Sequence, residues 1–238
     1  MKLQNALPLT AALALYQPLN PNYALAETPV KSQTNKNKTE TPKKEEKEQV
    51  HGMVEILAGN QSGTLDTKIL LPIAPYTKIF NRNRITGLYQ DGSVSNFHIL
   101  SLNINPYIPG LDIVAEVDAT SGAGLEPRAG LQYFRKFGDF GMVGFSSIAL
   151  KKNPTGLLMT NLSYNPKFTE LLGLASNAEL STTLSKYGHN VSVQRLRLGL
   201  DIAGYQFGPA ADLKEITNHD NENTAFSYNV GGFFKKNF

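Results

Sequence analysis

The sequence contains no cysteine and no tryptophan, and few of its residues are charged. Without cysteine there are no disulfides, thiolate metal ligands, cysteine nucleophiles or lipoprotein anchors, since such an anchor needs a cysteine at the cleavage site. Charged residues make up 18% of the chain and the net charge is +3, values that argue against general disorder and against a nucleic-acid partner. No phosphate-binding glycine loop, HExxH motif or acidic calcium loop occurs, so the sequence predicts no cofactor and no metal site.

The chain also lacks, after its first residues, any run of ~20 apolar residues that could cross a bilayer as a helix. Its start has the features of an export signal. Lys2 precedes an apolar run over residues 6–15, and Ala24-Leu25-Ala26 supplies the small residues of a cleavage site. We therefore expect residues 1–26 to be a signal peptide; the alternative is a short amphipathic or disordered N-terminus.

Residues 27–50 are rich in lysine and glutamate, and their only large apolar residues are two valines. Ordering this segment would cost backbone entropy with little burial in return. The sequence predicts a disordered periplasmic tether here, and assigns residues 51–238 to one folded domain.

Apolar and polar residues alternate through much of this domain, as expected of strands with one apolar and one polar face. Glycine, proline and asparagine separate these segments, and no βαβ spacing occurs, so the predicted class is all-β. Alternation is cleanest at 111–118, 177–184 and 195–202, and less regular runs occur at 53–59, 64–71, 77–90, 93–104, 126–137, 140–151 and 156–164.

The last segment of the chain alternates in the same way and ends on an aromatic residue. Phe226, Tyr228, Val230 and Phe234 share one face, and the final residue is Phe238. Together with the predicted signal peptide and the many alternating segments, this pattern resembles the bacterial outer-membrane β-barrel superfamily.

That resemblance implies a closed antiparallel up-and-down membrane barrel in a Gram-negative outer membrane, with outer-membrane lipids around it. In the superfamily the final strand is the signal read by the barrel-assembly machinery. The residues that would carry this signal here are Tyr228, Val230, Phe234 and Phe238.

The sequence favours about ten strands, with eight or twelve as alternatives, because bacterial barrels have even strand numbers. With the last strand running towards the periplasm, residues 208–223 and 165–175 are expected to be outer loops. Residues 188–190 and 152–155 are then expected to be periplasmic turns.

The polar faces of the predicted strands would line the lumen of such a barrel. Glu179 would lie near Arg195 or Arg197 across the turn at Gly188, and in a narrow barrel such ion pairs hold the register and fill the lumen. The predicted lumen-lining residues are Asp112, Glu116, Asp118, Arg128, Glu179, Arg195, Arg197 and Asp201.

The favoured function is a narrow porin-like channel, passing a small solute or ion, or a structural and surface scaffold. One alternative is a lipid-modifying enzyme of the outer membrane, with candidates among four histidines and several serines. No Gly-x-Ser-x-Gly motif occurs and no spacing fixes a triad, so no catalytic residue is assigned. The histidine and serine candidates for such an enzyme are His51, His98, His189 and His219, and Ser101, Ser185 and Ser192.

A secreted or periplasmic β-sandwich that binds a ligand is the third alternative. Its strands have the same two-residue period, with the apolar face turned towards a second sheet. The sequence leaves the oligomeric state open.

Overall fold

The computed structural model describes residues 50–122, 124–218 and 223–238. The signal peptide predicted at 1–26 and the tether predicted at 27–50 therefore lie outside the described residues, apart from Val50. No helix long and apolar enough to cross a bilayer occurs in the described part of the chain.

The described residues form twelve β-strands, numbered in chain order. They are β1 (His51–Gly59), β2 (Ser62–Ala74), β3 (Thr77–Leu88), β4 (Val94–Ile104), β5 (Leu111–Thr120), β6 (Gly124–Phe137), β7 (Phe140–Ala149), β8 (Gly156–Tyr164), β9 (Leu172–Ser185), β10 (Gly188–Ile202), β11 (Tyr205–Asn218) and β12 (Asn223–Asn237).

Each strand pairs antiparallel with its neighbours in sequence, and β1 pairs with β12, which closes the sheet into a barrel. Phe238 extends this seam, because its amide donates to the carbonyl of Gly52 (3.0 Å) and the amide of Gly52 donates to the carbonyl of Phe238 (2.7 Å). The predicted closed antiparallel up-and-down barrel is confirmed.

The predicted number of about ten strands is wrong, because the barrel has twelve. The strand that was missed is β11, which the sequence analysis placed in an outer loop over 208–223. Gly208-Pro209-Ala210-Ala211 interrupts the alternation of large apolar and polar residues there, yet Pro209 pairs with Gly232 inside the ladder. Because β11 adds one strand before β12, each of the earlier connections lies at the other end of the barrel from the one predicted. The turn before β10, for example, lies at the opposite end from Phe238.

The leucine row of β10 faces outwards. Leu196, Leu198 and Leu200 are 48%, 55% and 41% exposed, whereas Arg197 between them is buried. Equivalent apolar rows follow the outer faces of the other strands, for example Leu100, Leu102 and Ile104 of β4. Because one sheet closes on itself and leaves no facing layer, the β-sandwich alternative is wrong. The apolar outer face is typical of a barrel surrounded by the hydrocarbon of a bilayer.

The inner faces of the strands pack against one another inside the barrel. The main apolar cluster draws buried side chains from seven strands, including Met53 of β1, Phe80 of β3, Phe145 of β7 and Val191 of β10. A smaller cluster joins Leu57, Ala210 and Phe233. The barrel interior is therefore filled by side chains at this level, and we call the larger cluster the apolar layer.

Glycines allow the closing strands to approach closely. A Cβ on Gly231 of β12 would overlap the carbonyl oxygen of Ala58 on β1, and Gly208 of β11 has the same relation to Leu198 on β10. Side chains at these positions would push neighbouring strands apart, so the glycines are needed for the curvature of the seam.

We expect Gly231→Ala to impair closure of the barrel, because its methyl group has no space beside Ala58. Overpacking of this kind costs about 1–3 kcal/mol of unfolding free energy. Gly232→Ala is a matched control, since its Cβ would meet only the carbonyl oxygen of Gly208, at 3.6 Å. Denaturant titration in lipid vesicles and heat-modifiable gel mobility measure both variants, and equal stability of the two would contradict this account of the seam.

Candidate functional site

The structure places the predicted lumen-lining residues on the inner faces of β5, β6, β9 and β10. Glu116, Asp118, Arg128, Glu179, Arg197 and Asp201 are buried, and Asp112 and Arg195 are half-buried. All of them except Asp112 belong to the groups of charges and the vestibule described in turn below. Whether they line a conducting lumen stays a prediction.

A first group of charges lies on β2 and β3 and was missed by the sequence analysis. Arg82 Nε donates to Asp66 Oδ1 (2.8 Å), and the Nη2 atoms of Arg82 and Arg84 both donate to Asp66 Oδ2. Lys68, paired with Arg82 in the ladder, is 1% exposed. The spacing Asp-x-Lys and Arg-x-Arg puts all four side chains on one face, a signal that the polar outward residues Asn81 and Asn83 obscured.

A second group joins β9, β10, β11 and β1. Arg197 donates to Glu55 Oε1 (3.1 Å) and to Asp212 Oδ1 (2.6 Å). Arg195 donates to Glu179 Oε1 (3.2 Å), which is one of the two contacts predicted across the turn at Gly188. This group fixes the register of four strands through paired charges inside the barrel.

Glu179 also connects the second group to the first. It interacts electrostatically with Lys68, Arg82 and Arg84, although β9 is not a neighbour of β2 or β3 in the sheet. Charges on separated walls of the barrel therefore attract one another across the interior. Such buried pairs are costly to break one partner at a time, because the remaining charge has no water around it.

A third group surrounds Arg128 of β6. Its guanidinium bonds Glu126 and Ser147, and lies 3.6 Å from Glu116 and 4.0 Å from Asp118. Lys151, in the connection between β7 and β8, pairs with Glu126 from a half-exposed position. No group of acidic and histidine residues within the described ranges is arranged to hold a metal ion.

A cavity of about 420 Å³ opens at the end of the barrel where β1 begins and β12 ends. We call it the vestibule. Within it Lys167 Nζ lies 3.0 Å from Asp201 Oδ1, and Arg197 reaches it from the second charged group. The vestibule could receive a small polar solute, which would then meet the apolar layer. Its charged lining residues are Lys136, Asp139, Lys167, Arg197, Asp201 and Lys235.

The predicted assembly-signal residues share the outer face of the seam. Tyr228, Val230 and Phe234 are about half exposed, and the ring of Phe238 covers Gly52 on β1. Their recognition by an assembly machinery stays a prediction.

Two of the candidate histidines lie in separate parts of the barrel. His98 faces outwards on β4, where its Nε2 lies 2.7 Å from Asn81 Nδ2, and His51 lines the vestibule. His219 lies outside the described residues.

We expect Arg82→Met to destabilise the barrel by about 3–5 kcal/mol, because Asp66 would keep a buried charge with one fewer partner. Lys151→Met removes a half-exposed pair with Glu126 and should cost less than about 1 kcal/mol. Chemical denaturation in lipid vesicles compares the two variants. A cost for Arg82→Met as small as that for Lys151→Met would show that the interior group is solvated.

No protein-family model matches the chain, and no curated protein matches it. Among solved structures it is similar to the KdgM porin, with a TM-score of 0.48 and 11% identity over 79% of this chain and 99% of that one. It is also similar to LpxR from Salmonella typhimurium, with a TM-score of 0.42 and 7% identity over 78% and 99% of the two chains. For OmpT of Vibrio cholerae the TM-score is 0.34, with 8% identity over 80% and 98%.

These likenesses are too distant to carry an argument about function. The fold follows from the chain's own strand order and surface. With its closed antiparallel sheet and its apolar outer face, the chain has the fold of the outer-membrane β-barrel superfamily.

Proposed function

We propose that this protein is a narrow porin-like barrel of the outer membrane, exported by the signal peptide predicted at 1–26. The apolar outer rows favour a bilayer, and the closed sheet satisfies backbone groups that hydrocarbon could not. The barrel spans the membrane with the vestibule on the periplasmic side, because the terminal strand ends there.

The observation that carries this proposal is that buried apolar side chains and buried charges share the inner faces of the strands. Phe80 and Met53 are each 1% exposed, and the charged groups on β2, β3 and β10 lie on the same inner faces. A pore with an apolar constriction can gate by wetting and drying, and charged side chains beside the constriction give passing ions a polar lining. The resting barrel is accordingly closed, and ions pass when the side chains of the apolar layer move apart.

The charged side chains that line the vestibule favour small anions. Three basic side chains, Lys136, Lys167 and Lys235, line it against two acidic ones, Asp139 and Asp201, while the charge of Arg197 is paired with Glu55 and Asp212. A cation excess in a confined space raises the local concentration of anions.

Planar-bilayer recording tests the closed lumen. We expect the wild-type barrel to give rare, small openings, and Phe80→Ala to give frequent and larger ones because it removes one of the three phenylalanine rings of the apolar layer. Leu100→Ala, on the outer face of β4, is the matched control and should behave as wild type. Steady conductance of the wild type, unchanged by Phe80→Ala, would contradict a side-chain closure.

The reversal potential across a salt gradient tests the preference for anions. In the Phe80→Ala background we expect anion selectivity that falls when Lys136→Gln removes a vestibule charge. Lys186→Gln, in the connection at the opposite end of the barrel, is the control and should leave the reversal potential unchanged. Cation selectivity in the parent barrel would refute this part of the proposal.

A further inference from the structure

A serine and a histidine form a hydrogen-bonded pair on the outer face of β10. His189 Nε2 lies 2.8 Å from Ser192 Oγ, and His189 Nδ1 lies 3.1 Å from Thr217 Oγ1 on β11. Ser192 Oγ is also 3.2 Å from Thr182 Oγ1 on β9. A hydroxyl bonded to one ring nitrogen, with the other nitrogen held by a third group, is the arrangement of a nucleophile, its base and an orienting residue.

A β-bulge brings these residues together. Residues three apart in a regular strand point to opposite faces, but the pairing of β10 with β9 shifts register between His189 and Val191. The extra residue, Asn190, turns inwards and is buried, so His189 and Ser192 share the outer face. Bulges are over-represented next to active sites because they redirect side chains in this way.

The pair lies where the apolar outer surface gives way to polar residues. On β10 the leucine row runs from Leu196 towards the vestibule end, and Ser192 lies beyond it in the other direction. On β11 the residue paired with Ser192 is Glu215, which follows the exposed Leu213 on the same face. This border is the level of lipid headgroups and ester linkages.

A groove on the outer face leads from the pair into the apolar belt. It has a volume of about 660 Å³ and includes Ser192 and Thr182. Leu131 of β6, Leu158 of β8 and Leu180 of β9 form its walls. A groove with a hydroxyl at its polar border and leucine walls suits a long acyl chain whose ester carbonyl lies at Ser192.

We propose that Ser192 and His189 form an esterase site that hydrolyses the acyl esters of membrane lipids. Ser192 Oγ attacks the carbonyl carbon and its proton passes to His189 Nε2. The ester C–O bond then breaks, and Nε2 returns the proton to the leaving alcohol. Water attacks the acyl-enzyme by the same route, which releases the fatty acid and restores Ser192.

Two neighbouring side chains complete the arrangement. In the tautomer that carries its proton on Nδ1, His189 donates to Thr217 Oγ1, 3.1 Å away, and Thr217 is then a positioning residue that leaves Nε2 to accept the serine proton. Gln194 lines the same groove two residues from Ser192, and the proposal assigns its side-chain amide to donate to the carbonyl oxygen as negative charge develops. This activity is independent of the proposed channel, because it takes place on the opposite side of the barrel wall.

The folded full chain tests the proposal in two assays. Fatty-acid release is measured from phosphatidylethanolamine vesicles and from micellar p-nitrophenyl palmitate, and a fluorophosphonate probe reports the nucleophilic serine by peptide mass. We expect the wild type to hydrolyse both substrates and to be labelled at Ser192. Ser192→Ala should lower hydrolysis by about 1000-fold or more and abolish labelling, and His189→Gln should lower both.

Matched controls come from the same outer face. Ser176→Ala on β9 and His98→Gln on β4 remove a serine outside the groove and a histidine outside the pair, and both should keep wild-type rates. Thr217→Val should lower kcat with little change in KM, and Thr217→Ser should restore it, which a purely structural threonine would not do. Heat-modifiable gel mobility verifies that each variant is folded.

The proposal is overturned if the folded wild type releases no fatty acid from either substrate, if Ser192 is not labelled, or if Ser192→Ala keeps its activity. Hydrolysis of the micellar ester alone would overturn the assignment of membrane lipids as the substrate.

Discussion

The structure depends on the backbone pairing that closes β1 onto β12. In hydrocarbon an unpaired strand edge would leave amides and carbonyls without partners, so a sheet with this outer surface is stable there only when it has no edge. The hydrogen bonds between Gly52 and Phe238 extend that pairing to the last residue of the chain. Close approach at Gly231 and Gly208 lets the strands bend enough to meet.

Closure then decides what each face must contain. The outer face carries leucine and isoleucine because it meets lipid, while the inner face can hold charge only if the charges are paired. Asp66 satisfies this requirement with Arg82 and Arg84, and Arg197 does so with Glu55 and Asp212. The apolar layer fills the remaining interior, which makes the same packing responsible for stability and for closure of the lumen.

Alternation in the sequence was enough to predict strands wherever both faces obeyed it. β10 is the clearest case, with leucines outside and charges inside. β11 was missed because Gly208, Pro209 and two alanines erase the contrast between its faces, although backbone pairing still holds it in the ladder. Pairing partners are set by register across the sheet, which a single sequence does not display.

The candidate site residues, like the strands, were predicted only where apolar and polar residues alternate regularly. Lumen-facing charges on the regular strands were predicted, whereas Asp66 and Arg82 were hidden by polar residues on the outer face of β3. Ser192 and His189 were considered separately and left unpaired, since the bulge at Asn190 breaks the alternation that places side chains on faces. A bulge depends on the neighbouring strands and has no signature in these residues.

The orientation of the two faces is the central claim, and the absence of cysteine allows a direct test. A single cysteine at Leu180 or at the adjacent Ser181 gives one fluorescent label on the outer or inner face of β9. In vesicles of brominated lipid we expect strong quenching of the label at 180 and little at 181. Quenching of the label at 180 by a water-soluble agent, with none by brominated lipid, would contradict the account.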